Sequence, residues 1–293
     1  MKQRIAIATC AELPSLFGGE KLLIPELERL GHHVSVEIWD DPEVEWAHFD
    51  VVLIRCTWDY HEKLDAFMSW LEHLKQSTCL VLNSLESLMW NLDKRYLFEL
   101  QSKDVNIIPG FCLEAADQRS LTELMDAINA DEVVVKPVQS AGAWRTLRIR
   151  KNQLHEQASA FEQWRHEQAF MVQKFMPEIV AEGEWSLVFF NGEYSHSLLK
   201  RAKPGDFRVQ SDHGGRVEAA FATQEMRQQA CRVLEALPTT PCYARVDGVW
   251  RDGQFYLMEL ELLEPELFLE IDAQAPRRFS VAIQSAIDQA QVE

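Results

Sequence analysis

Two strand-like runs, Ala244 to Trp250 and Gln254 to Leu263, flank the turn residues Asp252-Gly253 and carry charges at two-residue steps: Arg245 and Asp247 on the first, Glu259 and Glu261 on the second. Side chains two apart on a strand share a face, so each run presents a charged face. Val246, Trp250, Tyr256, Met258, Leu260 and Leu262 are expected to form the opposite, buried face. Acidic positions flanked in this way are not a solvated charge run, and carboxylates gathered there need a cation. Register decides whether the charges meet. A two-residue turn would put Asp247 and Glu259 on opposite faces, whereas a three-residue connection with Gly253 in the left-handed region brings Arg245, Asp247, Glu259 and Glu261 together. We expect the three-residue connection. Oxygen-only ligands beside an arginine suit Mg²⁺ carrying substrate phosphates; an amphipathic hairpin at a protein edge is the plain alternative.

With 293 residues, 47% of them apolar, the chain can bury a large core and should divide into two or three compact units. A formal charge of -17 repels nucleic acid and anionic membranes, and no Lys/Arg stripe offsets it. The opening Lys2-Gln3-Arg4-Ile5-Ala6-Ile7-Ala8 lacks a signal-peptide pattern and no apolar run is long enough to span a membrane, so the cytoplasm is the expected address. Six cysteines without paired spacing fit reduced, mostly buried thiols, and nucleophile chemistry at Cys10 or Cys56 has no support. The histidines show no metal spacing; His32-His33, His61 and His213 read as surface or loop groups.

Strands at Arg4 to Thr9, Val34 to Ile38, Val51 to Arg55 and Cys79 to Leu82 alternate with helices at Gly19 to Leu30 and Phe67 to Leu74. That rhythm predicts a small open parallel sheet over residues 1–88, with ligands at the carboxyl ends of its strands. Loops Cys10 to Leu16 and Thr57-Trp58-Asp59-Tyr60-His61 lie at such ends, which makes Arg55, Thr57 and Asp59 candidate substrate contacts, with capped turns as the alternative. Asn91 is expected to cap a helix from Leu92 to Gln101. An α+β unit follows: helix Ser120 to Asn129, strands Glu132 to Lys136 and Trp144 to Ile149, a long helix Leu154 to His166, and strand Phe170 to Phe175. Strands Glu184 to Phe190 and Glu193 to Lys200, a helix Thr223 to Leu237, the charged hairpin and a final helix from Ser280 complete the chain.

Val133-Val134-Val135-Lys136-Pro137 is an apolar strand ending in a lysine, which a buried strand rarely does without an anionic partner. The small-residue run Gln139-Ser140-Ala141-Gly142-Ala143 could fold its N–H groups over phosphates, although with a single glycine it is a weak phosphate loop and, taken alone, a turn between antiparallel strands is the better reading. Gln173-Lys174-Phe175-Met176 offers an extended segment flanked by apolar side chains, suited to an adenine edge. Lys94 is a second phosphate candidate.

The ordered set from Lys94 through Val135-Lys136-Pro137, Gln173 to Met176, Glu184 and Arg201 to Arg245-Val246-Asp247 and Glu259-Leu260-Glu261 resembles the ATP-grasp superfamily, in its glutathione-synthetase-like branch. Trp39-Asp40-Asp41-Pro42, Arg55 to His61, Trp90 to Tyr96, Lys203 to Val209 and Glu259 to Leu269 look most like the subgroup that closes the cycloserine ring from O-ureidoserine. The implied fold is α/β and α+β: a pre-ATP-grasp domain over residues 1–88, then an ATP-grasp domain over 89–293 with a mobile lid at about 111–176 and an antiparallel-sheet core.

The resemblance implies that Lys94, Lys136 and Ser140 bind ATP phosphates, that Gln173 lies near the adenine amino group with Lys174, Phe175 and Met176 at the hinge, and that Glu184, or else Glu182, takes the ribose. Asp247, Glu259 and Glu261 would hold Mg²⁺, two ions, with Mn²⁺ an acceptable substitute. Arg245 would sit beside the transferring phosphoryl group, where it and Lys136 offset the developing charge, and the basic positions Arg201 and Arg208 would contact phosphate or a substrate carboxylate. Glu261 stands where the family usually has Asn, and Glu264-Pro265-Glu266 replaces its usual glycine-containing loop, so these departures bear on substrate identity.

The implied reaction joins a small carboxylate to an amine, between molecules or within one, through an acyl phosphate. Alternatives are a small-molecule kinase, which would leave a stable phosphorylated product, and a non-catalytic nucleotide-binding protein. The family also implies a homo-oligomer, dimer or tetramer.

Overall fold

A computed structural model describes residues 2–140, 142–210 and 213–291; Ala141, in the small-residue run, lies outside the described residues. The first strands are nearly all apolar and need cover on both faces, the condition for a parallel sheet. β1 (Arg4–Thr9), β2 (His33–Ile38), β3 (Val51–Cys56) and β4 (Leu80–Leu82) stand in the order β2-β1-β3-β4, all parallel. Phe67, Trp70, Leu71 and Leu74 of α2 (Leu64–Gln76) cover one face. Leu23 and Leu27 of α1 (Leu23–Arg29) cover the other, together with Phe279, Ile283 and Ile287 near the chain's end.

Helices α3 (Leu85–Asn91) and α4 (Tyr96–Gln101) lead into a second sheet. Its strands β5 (Gly110–Leu113), β6 (Glu132–Pro137), β7 (Leu147–Arg150) and β8 (Phe170–Lys174) pair antiparallel in the order β5-β8-β6-β7. Helix α5 (Leu121–Ala127) starts at a capping box in which Ser120 and Glu123 satisfy each other's backbone N–H groups. It packs on this sheet with Phe161 of α7 (Ser159–Trp164), which follows the single turn α6 (Leu154–Gln157).

After α8 (Glu178–Ala181) comes a five-stranded antiparallel sheet: β9 (Glu184–Phe190), β10 (Glu193–Arg201), β11 (Arg216–Ala219), β12 (Tyr243–Arg251) and β13 (Gln254–Glu261), ordered β11-β10-β9-β12-β13. One face packs on α9 (Gln224–Glu235) and α4 through Leu187, Val246, Leu257, Leu260, Met226, Val233 and Leu97. Helix α10 (Ala275–Ala290) returns to the first sheet. Among the described residues no helix is long and apolar enough to cross a membrane.

The charged hairpin reaches the expected pairing by another route. Arg251 pairs with Gln254, so Asp252 (φ +50°) and Gly253 (φ +77°) form a two-residue turn rather than a three-residue one. A β-bulge beside Asp247 then shifts the register by one, and Asp247 faces Glu259 while Arg245 faces Glu261. The extra residue also moves Tyr256 and Met258 to the side of Val249, Phe175 and Met176, leaving Phe255, Leu257, Leu260 and Leu262 for the buried face.

Other expectations need adjustment. Asn91 ends α3 instead of capping the next helix; its amide donates to Leu260 O and accepts from Leu262 N, both at 2.8 Å. The helix expected from Leu92 shortens to α4, and Lys94 sits in the link, its N–H on Val138 O. The long polar helix divides into α6 and α7, Trp144 lies in the turn before β7, and the last helix begins at Ala275.

Candidate active site

Between the second and third sheets opens a cleft of about 730 Å³ whose lining includes Lys94, Lys136, Gln173, Glu184, Lys200, Arg245, Asp247, Glu259 and Glu261. Cross-strand pairing assembles its floor: Glu184 stands opposite Lys200, Asp247 opposite both Ser186 and Glu259, and Arg245 opposite Glu261. Lys200 Nζ lies 3.0 Å from Glu184 Oε1 and 3.2 Å from Asp247 Oδ2. Ser186 donates to Asp247 Oδ1 at 2.6 Å, and Arg245 forks onto both Asp247 oxygens and reaches Glu261. From across the cleft Lys94 Nζ meets Glu259 Oε1 at 3.0 Å and Ser140 O at 2.6 Å, while Lys136 Nζ lies 3.9 Å from Glu259 Oε2.

These pairings divide the acids by protonation behaviour. Burial would raise Asp247, but Arg245 and Lys200 outweigh it and hold the carboxyl well below the usual range. Burial likewise opposes ionisation of Glu259, and Lys94 and Lys136 prevail. Glu261 is pushed up to about 8, by burial and by Asp247 and Glu259 against the pull of Arg245. Burial raises Glu184 although Lys200 opposes it, lifts Glu264 and Glu266 to about 7, and lowers Lys136.

One end of the cleft is apolar. Ile108, Phe175, Met176, Ile179, Val209 and Val249 cluster beside Met258, and Gln173 is buried on β8. The Phe175 N–H already serves Glu132 O at 2.9 Å, and Lys174 directs its ammonium to Asn129 O at 3.0 Å.

Several expected contacts lie elsewhere. Arg201 points outward to Glu218 and to the Glu182 carbonyl, and its neighbour Lys200 supplies the cation. Arg55 is enclosed against Glu20 and Pro265 O instead of lining the cleft, Thr57 is fully buried, and Asp59 is taken by Trp39 Nε1 and Lys63. Trp58, Tyr60 and His61 of the same loop face the cleft, as does His213, and Arg208 lines it while paired with Asp206. All six cysteines are free, and burial pushes Cys56 up to about 12, which removes it as a nucleophile. Lys200 was detectable in principle: a two-residue Asn191-Gly192 turn in this hairpin needs only one bulge to set it opposite Glu184.

Asp247, Glu259 and Glu261 are hard oxygen donors on one cleft face, but among the described residues no three acids, histidines or cysteines converge into a ready cage. Mg²⁺ takes only one or two protein carboxylates when substrate phosphates complete its shell, so the residues fit an ion that arrives with nucleotide.

Cleft and folds together define an ATP-grasp ligase. The family model described as prokaryotic glutathione synthetase, ATP-grasp domain, matches residues 102–274, and that of the D-cycloserine synthetase DcsG N-terminal domain matches residues 5–83. The chain belongs to this glutathione-synthetase-like ATP-grasp family and is a C–N bond-forming, ATP-dependent ligase. It is 29% identical over 280 residues to the cycloserine biosynthesis protein DcsG of Streptomyces lavendulae, covering 89% of this chain and 91% of that one. The crystal structure of D-cycloserine synthetase DcsG matches with a TM-score of 0.88 at 25% identity, over 97% of this chain and 99% of that one. D-alanine–D-alanine ligase from Bacillus anthracis shares the fold, with a TM-score of 0.71 at 17% identity over 98% of both chains.

Proposed function

We propose that the chain activates the carboxylate of a small amino-acid-like substrate as an acyl phosphate and closes a ring with a nitrogen of the same molecule, O-ureidoserine being the first candidate. The observation that carries this reading is the convergence of Lys94 and Lys136 on Glu259, opposite Arg245 and Asp247, in one cleft. The likeness to DcsG across nearly the whole chain supports the substrate.

In this reading Lys94 and Lys136 exchange Glu259 for phosphate oxygens, and Arg245 offsets charge on the transferring group. Asp247, Glu259 and Glu261 would hold Mg²⁺, which supplies further neutralisation of phosphate charge. A substrate carboxylate oxygen attacks the γ-phosphorus and the bond to the β-phosphate oxygen breaks, releasing ADP. The nitrogen then attacks the acyl carbon, loses its proton, and phosphate departs. Glu264 and Glu266, in the cleft without an ion pair among the described residues, suit the substrate ammonium. We assign residues 1–88 to substrate binding and 89–293 to catalysis, with residues 111–176 closing as a lid to keep water from the acyl phosphate. The free, scattered cysteines favour a reducing cytoplasm.

ADP release is to be measured with Mg²⁺ across amino-acid carboxylates and amines, O-ureidoserine included, with product analysis. Folded enzyme that releases no ADP with any of them, or that yields a stable phosphorylated compound and no amide, overturns the reading.

A further inference from the structure

Leu262 to Leu267 leaves β13 with almost no regular structure, yet five of its six carbonyls each accept a hydrogen bond from a different side chain, and the sixth, Leu263 O, shares the single Tyr243 hydroxyl proton with Ile54 O and Leu82 O. Asn83 Nδ2 serves Leu262 O at 2.9 Å, Trp58 Nε1 serves Glu264 O at 2.9 Å, and Leu263 O lies 3.0 Å from the Tyr243 hydroxyl. Arg55 serves Pro265 O, Arg245 Nη1 serves Glu266 O at 2.8 Å and His196 Nε2 serves Leu267 O at 2.8 Å. A buried backbone segment must place its polar groups somewhere, and here the partners are supplied from outside the segment. Three of the six, Asn83, Trp58 and Arg55, come from the first sheet and its loops.

Arg55 and Glu20 hold the middle of this segment from beneath. Both are nearly inaccessible, at 1% and 2% exposure, and Arg55 Nε donates to Glu20 Oε2 at 2.9 Å. Glu20 Oε1 then accepts from Leu267 N at 2.8 Å, so one ion pair grips the chain at Pro265 and at Leu267. Immediately beyond, Phe268 adopts a left-handed conformation (φ +48°) with its ring 5.7 Å from the Arg245 guanidinium and 5.9 Å from the Lys200 ammonium. A non-glycine residue keeps such a conformation only where its surroundings over-determine it.

We infer that Glu20 and Arg55 are positioning residues for the ligation reaction: through Pro265 and Leu267 they set the loop that presents Glu264, Glu266 and Phe268 to the acceptor end of the cleft. Neither residue lines the cleft, so the effect passes through the loop. The functional consequence rests on the ligase reading above; the grip itself does not.

The test uses the full chain and the pair replacement Glu20→Gln with Arg55→Met, which leaves no unpaired buried charge, alongside Arg55→Lys as the conservative variant. Hydrogen exchange by mass spectrometry on ligand-free protein reads the peptide over residues 262–270, and steady-state kinetics read KM separately for O-ureidoserine and ATP. Protection of that peptide should fall in the pair replacement, and KM for O-ureidoserine should rise about ten- to a hundredfold with KM for ATP unchanged, because small misplacements of a binding group cost that much. Arg55→Lys should recover part of both. Unchanged protection overturns the grip, and a lower melting temperature with neither KM altered, or with both altered equally, overturns the positioning role. If wild-type protein releases no ADP with O-ureidoserine the ligase reading falls instead, while exchange still decides the grip.

Discussion

Replacing Lys200 by Met tests whether the cleft depends on this residue and not on its neighbour. The ammonium sits between Glu184 and Asp247 at 3.0 and 3.2 Å, with all three side chains at most 10% exposed. Removing one partner of a buried ion pair costs about 3–5 kcal/mol, and the lower end applies here. Asp247 keeps Arg245 and Ser186, and Glu184, already raised by burial, can neutralise by taking a proton. Arg201→Met removes a pair whose side chains are 47% and 54% exposed, worth about 0–1 kcal/mol after solvent screening. At roughly 2–4 °C per kcal/mol for a chain of this size class, Lys200→Met should melt roughly 6–12 °C early and Arg201→Met no more than about 4 °C early. Scanning calorimetry at neutral pH reads this, with ADP release measured in parallel. Adding Glu184→Gln to Lys200→Met should cost less than the two changes summed, since the pair shares one interaction. Equal melting points for the two single variants, or ADP release lost in Arg201→Met and kept in Lys200→Met, would refute the assignment of the cleft cation.

Glu259→Gln should fold normally yet release ADP about 10²- to 10³-fold more slowly, because the side chain that orders both lysines loses its charge; a smaller change than tenfold would remove Glu259 from the machinery. His196 is buried with a lowered pKa, so the folded state binds its proton less readily than the unfolded state. Its contribution to stability is therefore complete above the unfolded pKa of about 6.5 and is lost as pH falls toward the folded value. His196→Gln should flatten the fall in melting temperature between about pH 7.5 and 5.5 relative to wild type, and parallel curves would contradict this. Burial pushes Cys56 and Cys242 up to about 12, so iodoacetamide at about pH 8 should leave both unmodified in native enzyme while activity persists, as peptide mapping can show.

The first sheet was legible because its strands are continuous apolar runs separated by helix-length segments, and each of its four expected strands is present within a residue or two. The cleft acids and the lysines Lys94 and Lys136 were legible because charge beside apolar strand residues has no plain structural reason. Lys200 was missed because alternation alone cannot choose between neighbouring Lys200 and Arg201 when a bulge near Tyr194 has shifted the register. Arg55, Thr57 and Asp59 were misplaced for a related reason. A strand end and the loop after it have no fixed side-chain period, so nothing local told which residues turn toward the cleft and which turn under Glu264 and Pro265.

What the amino-acid order settled by itself was kind and location: parallel sheet first, antiparallel sheets after, and an acidic hairpin facing ammonium groups. Local propensity and periodicity carry that information within a few residues of chain. Which acid faces which cation was settled by tertiary structure, because a bulge adds one residue to one strand and thereby turns every later side chain over. The shape of Leu262 to Phe268 was settled the same way, since its carbonyls are held by side chains that the fold brings from positions as far apart in sequence as Arg55 and Arg245.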